Sequence, residues 1–157
     1  MVVDIRCMAD NLTEKQRSYC MSRVRTKDTD LEMLVRSELR KRGLRFRANV
    51  KTLPGKPDIV LTAAKVAIFI DGDFWHGYRF PSWKNKVDMF WREKIRKNRE
   101  RDKRNFTKIR GIGWRVIRLW QHEIKNDLES CIVKVIVAKK QYKEGHRKSR
   151  FHTKQNP

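Results

Sequence analysis

Cysteine is scarce in this chain, and so is negative charge. Three of the 157 residues are cysteine. Cys7, Cys20 and Cys131 are odd in number, far apart and form no C-x-x-C pair, so neither a disulfide framework nor a cysteine zinc site is indicated, and they read as reduced thiols. Long apolar runs are missing as well. Nothing approaches the roughly 18 consecutive apolar residues of a membrane span, and the opening MVVDIRCMAD lacks the apolar stretch of a secretory signal. An intracellular, cytoplasmic protein with no membrane partner is expected, and no internal repeat divides it. Asp and Glu number 18 against 39 Lys and Arg, a formal charge of +21. With a pI near 10.5, such a field concentrates polyanions, and phosphate backbones are the usual partners. The 39% of apolar residues suffices for one modest core beneath a cationic surface.

The pattern along the chain predicts a single domain over 1–140, with a helical N-terminal arm at about 8–28 and a basic, disordered tail over 141–157. Residues 13–25 are helix-compatible. Thr29-Asp30-Leu31-Glu32 fits a capping box, Leu31, Leu34, Val35 and Leu39 recur at helical spacing, and Gly43 stands at a C-terminal cap, so a helix is predicted over 29–42. Residues 44–50 alternate apolar with polar as a half-buried strand, and 58–61 and 65–71 read as central strands buried on both faces. A loop over 72–86 leads to a long helix over 87–110, a strand over 114–120 and a helix over 127–139. That order predicts an α/β fold with a mixed central β-sheet flanked by helices.

Three features point to chemistry. Pro57-Asp58 opens one strand, and the next ends in Asp71-Gly72-Asp73, so two neighbouring strands present carboxylates that can share a Mg²⁺ ion for phosphodiester hydrolysis. The outline is like the PD…(D/E)-x-K nuclease pattern, with Asp73 or Phe74 at the lysine position according to register. The competing reading is ordinary turn chemistry beside glycine. Next, Phe74-Trp75-His76 follows at once, and a histidine, which titrates near neutrality, can beside carboxylates activate water or protonate a leaving oxygen, the plainer reading being a structural loop histidine. Finally, Trp91, Ile95, Asn98, Asp102, Phe106 and Ile109 define one helix face with two polar residues in its middle. An inward carboxylate is costly unless paired or metal-linked, so Asp102 points into a site or pairs with Arg99 or Arg104. Glu32 is explained by its capping role alone, although the same helix start aims it at the site.

The combination resembles the very short patch repair (Vsr) mismatch endonucleases over roughly residues 15–122. The resemblance is carried by Arg17-Ser18, Met21-Ser22, Lys27-Asp28-Thr29 and Glu32, by LPGKPD at 53–58 and by VAIFIDGDFWHG at 66–77. Phe90-Trp91, Lys94-Ile95, Lys97-Asn98, Arg101-Asp102 and GWRV at 113–116 complete it. It implies a restriction-endonuclease-like core in which Asp58 and the backbone carbonyl of Ile70 bind catalytic Mg²⁺ and His76 is the general base. Glu32, Asp71 and Asp102 fall on active-site positions, with Asp71 where the best-known member has histidine, as metal or water ligand or as general acid. Phe74, Trp75 and Trp91 match a wedge that enters the DNA stack beside a mismatch, where unstacking costs least; Trp114 and Trp120 are expected in the core. Arg17, Lys27, Lys94, Lys97 and Asn98 are candidate DNA contacts. The family's structural zinc is not expected, because its positions are Asp73, Tyr78, Phe80 and His122 and offer no thiolate; the loop is expected to pack through Tyr78, Phe80 and Trp83.

Together the residues and the resemblance lead to the expectation of a Mg²⁺-dependent endonuclease that nicks one strand of double-stranded DNA beside a T:G mismatch. It is expected to be a nucleoid-associated monomer with mismatch-repair proteins as partners. A related nuclease that reads sequence instead of mismatch fits the same core. A non-catalytic basic DNA-binding module fits the charge but gives no reason for the carboxylates.

Overall fold

The computed structural model describes Thr13, Lys15, Gln16, Tyr19 and residues 28–152, the last stretch (Lys143 and 145–152) by backbone alone. The expected arm, with Arg17 and Lys27, lies essentially outside the described residues. Helix α1 spans Asp30–Lys41 and is started by a complete capping box: Glu32 N–H donates to the Thr29 hydroxyl and the Glu32 side chain reaches back to the Thr29 backbone. The buried stripe of α1 is Glu32, Val35, Arg36 and Leu39, not the apolar set that includes Leu34, which is 42% exposed. An ion pair between Arg36 and Glu32, 2.8 Å at i,i+4, makes that polar burial tolerable.

Four strands follow in the sheet order β1 (Arg47–Ala48), β2 (Ile59–Leu61), β3 (Val66–Asp71) and β4 (Arg115–Trp120). The first two pairings are antiparallel and β3–β4 is parallel, which confirms a mixed sheet. The strand expected over 44–50 shortens to two exposed residues, because Asn49 turns into the left-handed region at φ 51° and ends it. By contrast β2 and β3 are buried on both faces, as expected for central strands.

Side chains alternate along β3. Val66 and Ile68 join Val35, Leu39, Leu119, Ile124, Ile132 and Val135 in the larger core, beneath α1 and the C-terminal helices. Ala67 and Phe69 face the opposite way, against Phe106 and Ile109 of the long helix α3 (Met89–Gly111), with Trp114 and Val116 packed beside them. The sheet is thus sandwiched between helical layers.

Three differences from the sequence reading concern connections. The loop after β3 contains a short helix α2 (Phe80–Trp83) and a 3₁₀ turn at Lys84–Lys86. A six-residue helix α4 (Gln121–Asn126) follows β4, where Trp120 N–H is accepted by Glu123 and Ile124 is buried. The last helix, α5, runs Leu128–His152 rather than stopping at 139, so it continues through most of the expected disordered tail. Gln, Lys, Glu and Arg dominate that stretch, and these straight-chain residues are good helix formers. Among the described residues no helix is long and apolar enough to cross a membrane.

Candidate active site

The antiparallel pairing of β2 with β3 brings the start of one strand beside the end of the other. Asp58 N–H donates to the Ile68 carbonyl, and the Asp58 carboxylate accepts from Ile70 N–H at 2.7 Å. The strands thus place Asp58 and the Ile70 backbone together. Asp71 closes β3 opposite Trp120 of the parallel strand β4, at the strand-end edge where open α/β sheets carry their ligands. Burial, joined by the carboxylates of Glu32 and Asp71, pushes Asp58 up to about 7 against the pull of the Ile70 amide and Arg36.

Beyond Asp71 the chain folds into successive turns, with His76 N–H on Gly72 O, Gly77 N–H on Phe74 O and Tyr78 N–H on Asp73 O. The Asn98 side chain of α3 donates to the Trp75 carbonyl at 3.0 Å. Gly77 has φ +65°, and a Cβ there would lie 2.8 Å from Ile95 Cγ2 and 2.7 Å from Arg99 Cδ. Only glycine gives both the left-handed turn and this close approach of loop to helix.

These constraints swing His76 between two carboxylates. Its Nδ1 is 2.6 Å from Asp102 Oδ2 on α3, and its Nε2 is 3.2 Å from Asp71 Oδ1. Burial would raise Asp102, but bonding to His76 and the charges of His76 and Arg118 outweigh it and hold the carboxyl below its ordinary value. An ionised acceptor calls for a proton on Nδ1, and in the neutral ring that tautomer has Nε2 as the basic nitrogen. For Asp71 the balance is opposite: burial prevails over His76 and Arg118 and pushes it up. Ligand atoms of Asp71, His76 and Asp102 lie within 4.8 Å of one another, a hard, oxygen-rich donor set able to hold a divalent cation.

Other expected site residues settle elsewhere. Asp102 pairs with His76, Arg118 and Arg101, not with Arg99 or Arg104. Glu32 is engaged by its helix start and by Arg36, whose guanidinium also donates to Asn49 Oδ1 at 3.1 Å and to the Asp58 carbonyl at 3.4 Å. It therefore adjoins Asp58 through an intermediary and stands outside the histidine cluster. Sequence reasoning missed Arg36 and Arg118. The first was signalled by its i,i+4 spacing from Glu32; the second carried no local signal.

Next to the cluster lies an aromatic group. Phe74 stacks on Trp83, and Phe74, Trp75 and Trp91 meet edge to face at centroid distances of 5.1 to 6.1 Å. Trp91 is only 3% exposed, whereas Phe74 and Trp75 are partly buried and Phe90 is 48% exposed. Lys94 Nζ sits 5.6 to 5.9 Å from the Trp75, Phe90 and Trp91 rings. Lys97 is exposed near Glu93. Trp114 and Trp120, expected in the core, are both half-buried: Trp114 packs against the Phe69–Phe106 cluster and Trp120 lies beneath Arg118. Asp73 and His122 bond at 2.6 Å, with Tyr78 against the imidazole, and Phe80 turns into the apolar cluster with Trp91 and Ile95. Trp83 Nε1 donates to the Tyr78 carbonyl at 2.7 Å, tying the loop to α2.

Comparison with known proteins agrees with this geometry. Residues 9–82 match the family described as DNA mismatch endonuclease Vsr. The chain is 44% identical over 122 residues to the type II nicking enzyme V.NmeAIP of Neisseria meningitidis, covering 76% of this chain and 86% of that protein. It is 41% identical over 124 residues to the type II nicking enzyme V.XorIIP of Xanthomonas oryzae, covering 76% and 89%. With the DNA mismatch endonuclease Vsr of Escherichia coli it shares 39% over 116 residues, 73% of this chain and 74% of that one.

Proposed function

The chain belongs to the Vsr DNA mismatch endonuclease family and is a DNA endonuclease, and from that premise we propose that it nicks one strand of duplex DNA beside a T:G mismatch with Mg²⁺. The observation that carries this reading is the histidine held at both ring nitrogens by carboxylates, one strand-end away from Asp58 and directly beside the aromatic group.

The resemblance implies a metal-dependent mechanism in which the Asp58 carboxylate, the adjoining Ile70 backbone and Asp71 would hold an oxygen-preferring ion, and the clustered acidic donors beside His76 are Asp71 and Asp102. When bound, the ion supplies stabilisation of charge on the phosphoryl oxygens. The chain's own residues do the rest. Asp102 fixes His76 in the tautomer whose Nε2 is basic, and Nε2 takes the proton of the attacking water. A water–phosphorus bond forms, the bond to the 3′-oxygen breaks, and that oxygen takes a proton from a solvent water, so the ends are a 5′-phosphate and a 3′-hydroxyl. Asp71, whose Oδ1 faces Nε2 at 3.2 Å, lies opposite the proton gained and stabilises the ring that carries it. Phe74, Trp75 and Trp91 supply apolar rings at the position where a mismatch would be unstacked, with Lys94 and Lys97 beside them for phosphates. A cytoplasmic site of action as a monomer, alongside mismatch-repair proteins, is part of the same reading.

The test is incubation of the full chain with Mg²⁺ and end-labelled duplexes differing only in T:G against C:G, with Asp58→Ala as control. Preferential nicking at T:G, absent in the variant, supports the repair reading. Equal nicking of both duplexes points to a nuclease that reads sequence instead of mismatch; relatives of this chain are named type II nicking enzymes. Binding without scission in any metal would leave a DNA-binding module.

A further inference from the structure

Arg118 takes no part in the proton transfer itself, yet it touches both acids that hold the histidine. It lies on β4 in register with Phe69 of β3, with its guanidinium carbon 4.1 Å from the Trp120 ring centroid and 5.3 Å from that of Phe106. Its Nε donates to Asp71 Oδ2, and its Nη2 donates to Asp102 Oδ2 at 3.1 Å. The other oxygen of Asp71, and the same oxygen of Asp102, face the two nitrogens of His76. One planar cation therefore spans two carboxylates that would otherwise repel across a single imidazole. A guanidinium suits this task because its donors are set in a rigid fork and its faces lie flat on aromatic rings. A flexible ammonium would reach one acid at a time.

We propose that Arg118 is a positioning residue for hydrolysis: held beside the Trp120 and Phe106 rings, it fixes the Asp71 and Asp102 carboxylates and through them the orientation of the His76 ring. The proposal rests on His76 as proton acceptor. The competing role is a direct phosphate contact, since Arg118 also borders a basic cleft with Arg99, Lys103 and Arg110. The positions of Nε and Nη2, both already on carboxylates, favour positioning.

The test compares the full-length chain with Arg118→Gln and Arg118→Lys in two assays. One is steady-state nicking of the T:G duplex with Mg²⁺. The other is the proton spectrum of the DNA-free, metal-free protein, in which the hydrogen-bonded His76 N–H gives a far-downfield resonance, assigned by its loss in His76→Ala. Positioning requires that Arg118→Gln lower kcat about 100-fold while KM moves less than about threefold, that the downfield resonance vanish with the amide spectrum preserved, and that Arg118→Lys recover part of both. A raised KM with kcat intact makes Arg118 a phosphate contact and overturns the proposal, as does an unchanged resonance or an unchanged kcat. If the Gln variant does not fold, the Lys variant decides, since a lysine that restores the fold without any loss of kcat or resonance also overturns it. If the original chain nicks neither duplex, the functional reading fails, while the spectra still judge the placement of Arg118.

Discussion

The loop from Gly72 to Arg79 serves two neighbourhoods built on opposite principles. On one side His76 is held by directional, charged contacts to Asp71 and Asp102, themselves bound by Arg118. On the other, just before His76 in the chain, the Phe74 and Trp75 side chains rest on Trp83 and Trp91 chiefly through ring contacts. The Trp75 indole nitrogen is buried and lacks a partner among the described residues, whereas Trp83 Nε1 is bonded. Charged hydrogen bonds fix an atom to within tenths of an ångström, while aromatic packing tolerates several arrangements of similar energy. On the proposed reading the ionic side serves chemistry, which needs one geometry, and the aromatic side enters a base stack, which needs rings that can be re-seated.

The sharpest break of this contrast falls on the ionic side. His76→Ala, or Asp102→Asn, which removes the charge that orients His76, should slow single-turnover nicking by about 10²- to 10⁴-fold, with the T:G preference in binding retained. If either variant instead lost mismatch discrimination while still cutting, the two neighbourhoods would not be separable.

Asp58 tests the same side through stability. Its folded-state value of about 7 lies above the ordinary 3.8, so the folded chain keeps a proton that the unfolded chain releases. Stability from this group is present in full below about pH 4, is lost as pH rises towards 7, and falls no further above it. Asp58→Asn, which keeps an acceptor for Ile70 N–H, should abolish nicking yet melt higher than the original chain above pH 7, by up to about 4 kcal/mol, with the gap closing towards pH 4. Mg²⁺ should raise the melting temperature of the original chain and not that of the variant. Thermal melts across pH, with and without Mg²⁺, check both.

On the aromatic side the effects should divide by burial. Trp91→Ala removes a fully packed ring and should cost about 3 kcal/mol or more in denaturant unfolding. Trp75→Ala, in a partly buried ring, should cost less and chiefly reduce the ratio of T:G to C:G nicking. The smallest effect belongs to Asp73→Asn, since its bond with His122 is a third exposed on either side; a loss below about 1 kcal/mol is expected in the same unfolding assay.

How much of this was legible in sequence depended on whether the cause was local. The α1 start was readable because a capping box is four adjacent residues, and the α3 face because Trp91 to Ile109 repeats at helical spacing. The convergence of Asp71, His76 and Asp102 was foreshadowed by strand-end and helix-face positions, although the distances were not. Leu34 misled because α1 buries Glu32 with Arg36, a pair that hydropathy alone penalises. Arg118 was silent because its partners lie 47 and 16 residues away, and nothing in GWRVIRLW distinguishes an arginine facing solvent from one facing two carboxylates. The short helices α2 and α4 lack the length that makes periodicity visible.

The parallel pairing of β3 with β4 has a consequence for synthesis. Parallel neighbours cannot be joined by a tight turn, so the whole of α3 must be made before β4 can dock. Asp58, Asp71 and His76 leave the ribosome well ahead of Asp102 and Arg118, and until those arrive His76 has neither its second carboxylate nor the cation that braces both. A nascent chain of such high positive charge can therefore cling to nucleic acid before it is able to cut it, and the competence to cut is postponed until nearly the whole domain has been translated.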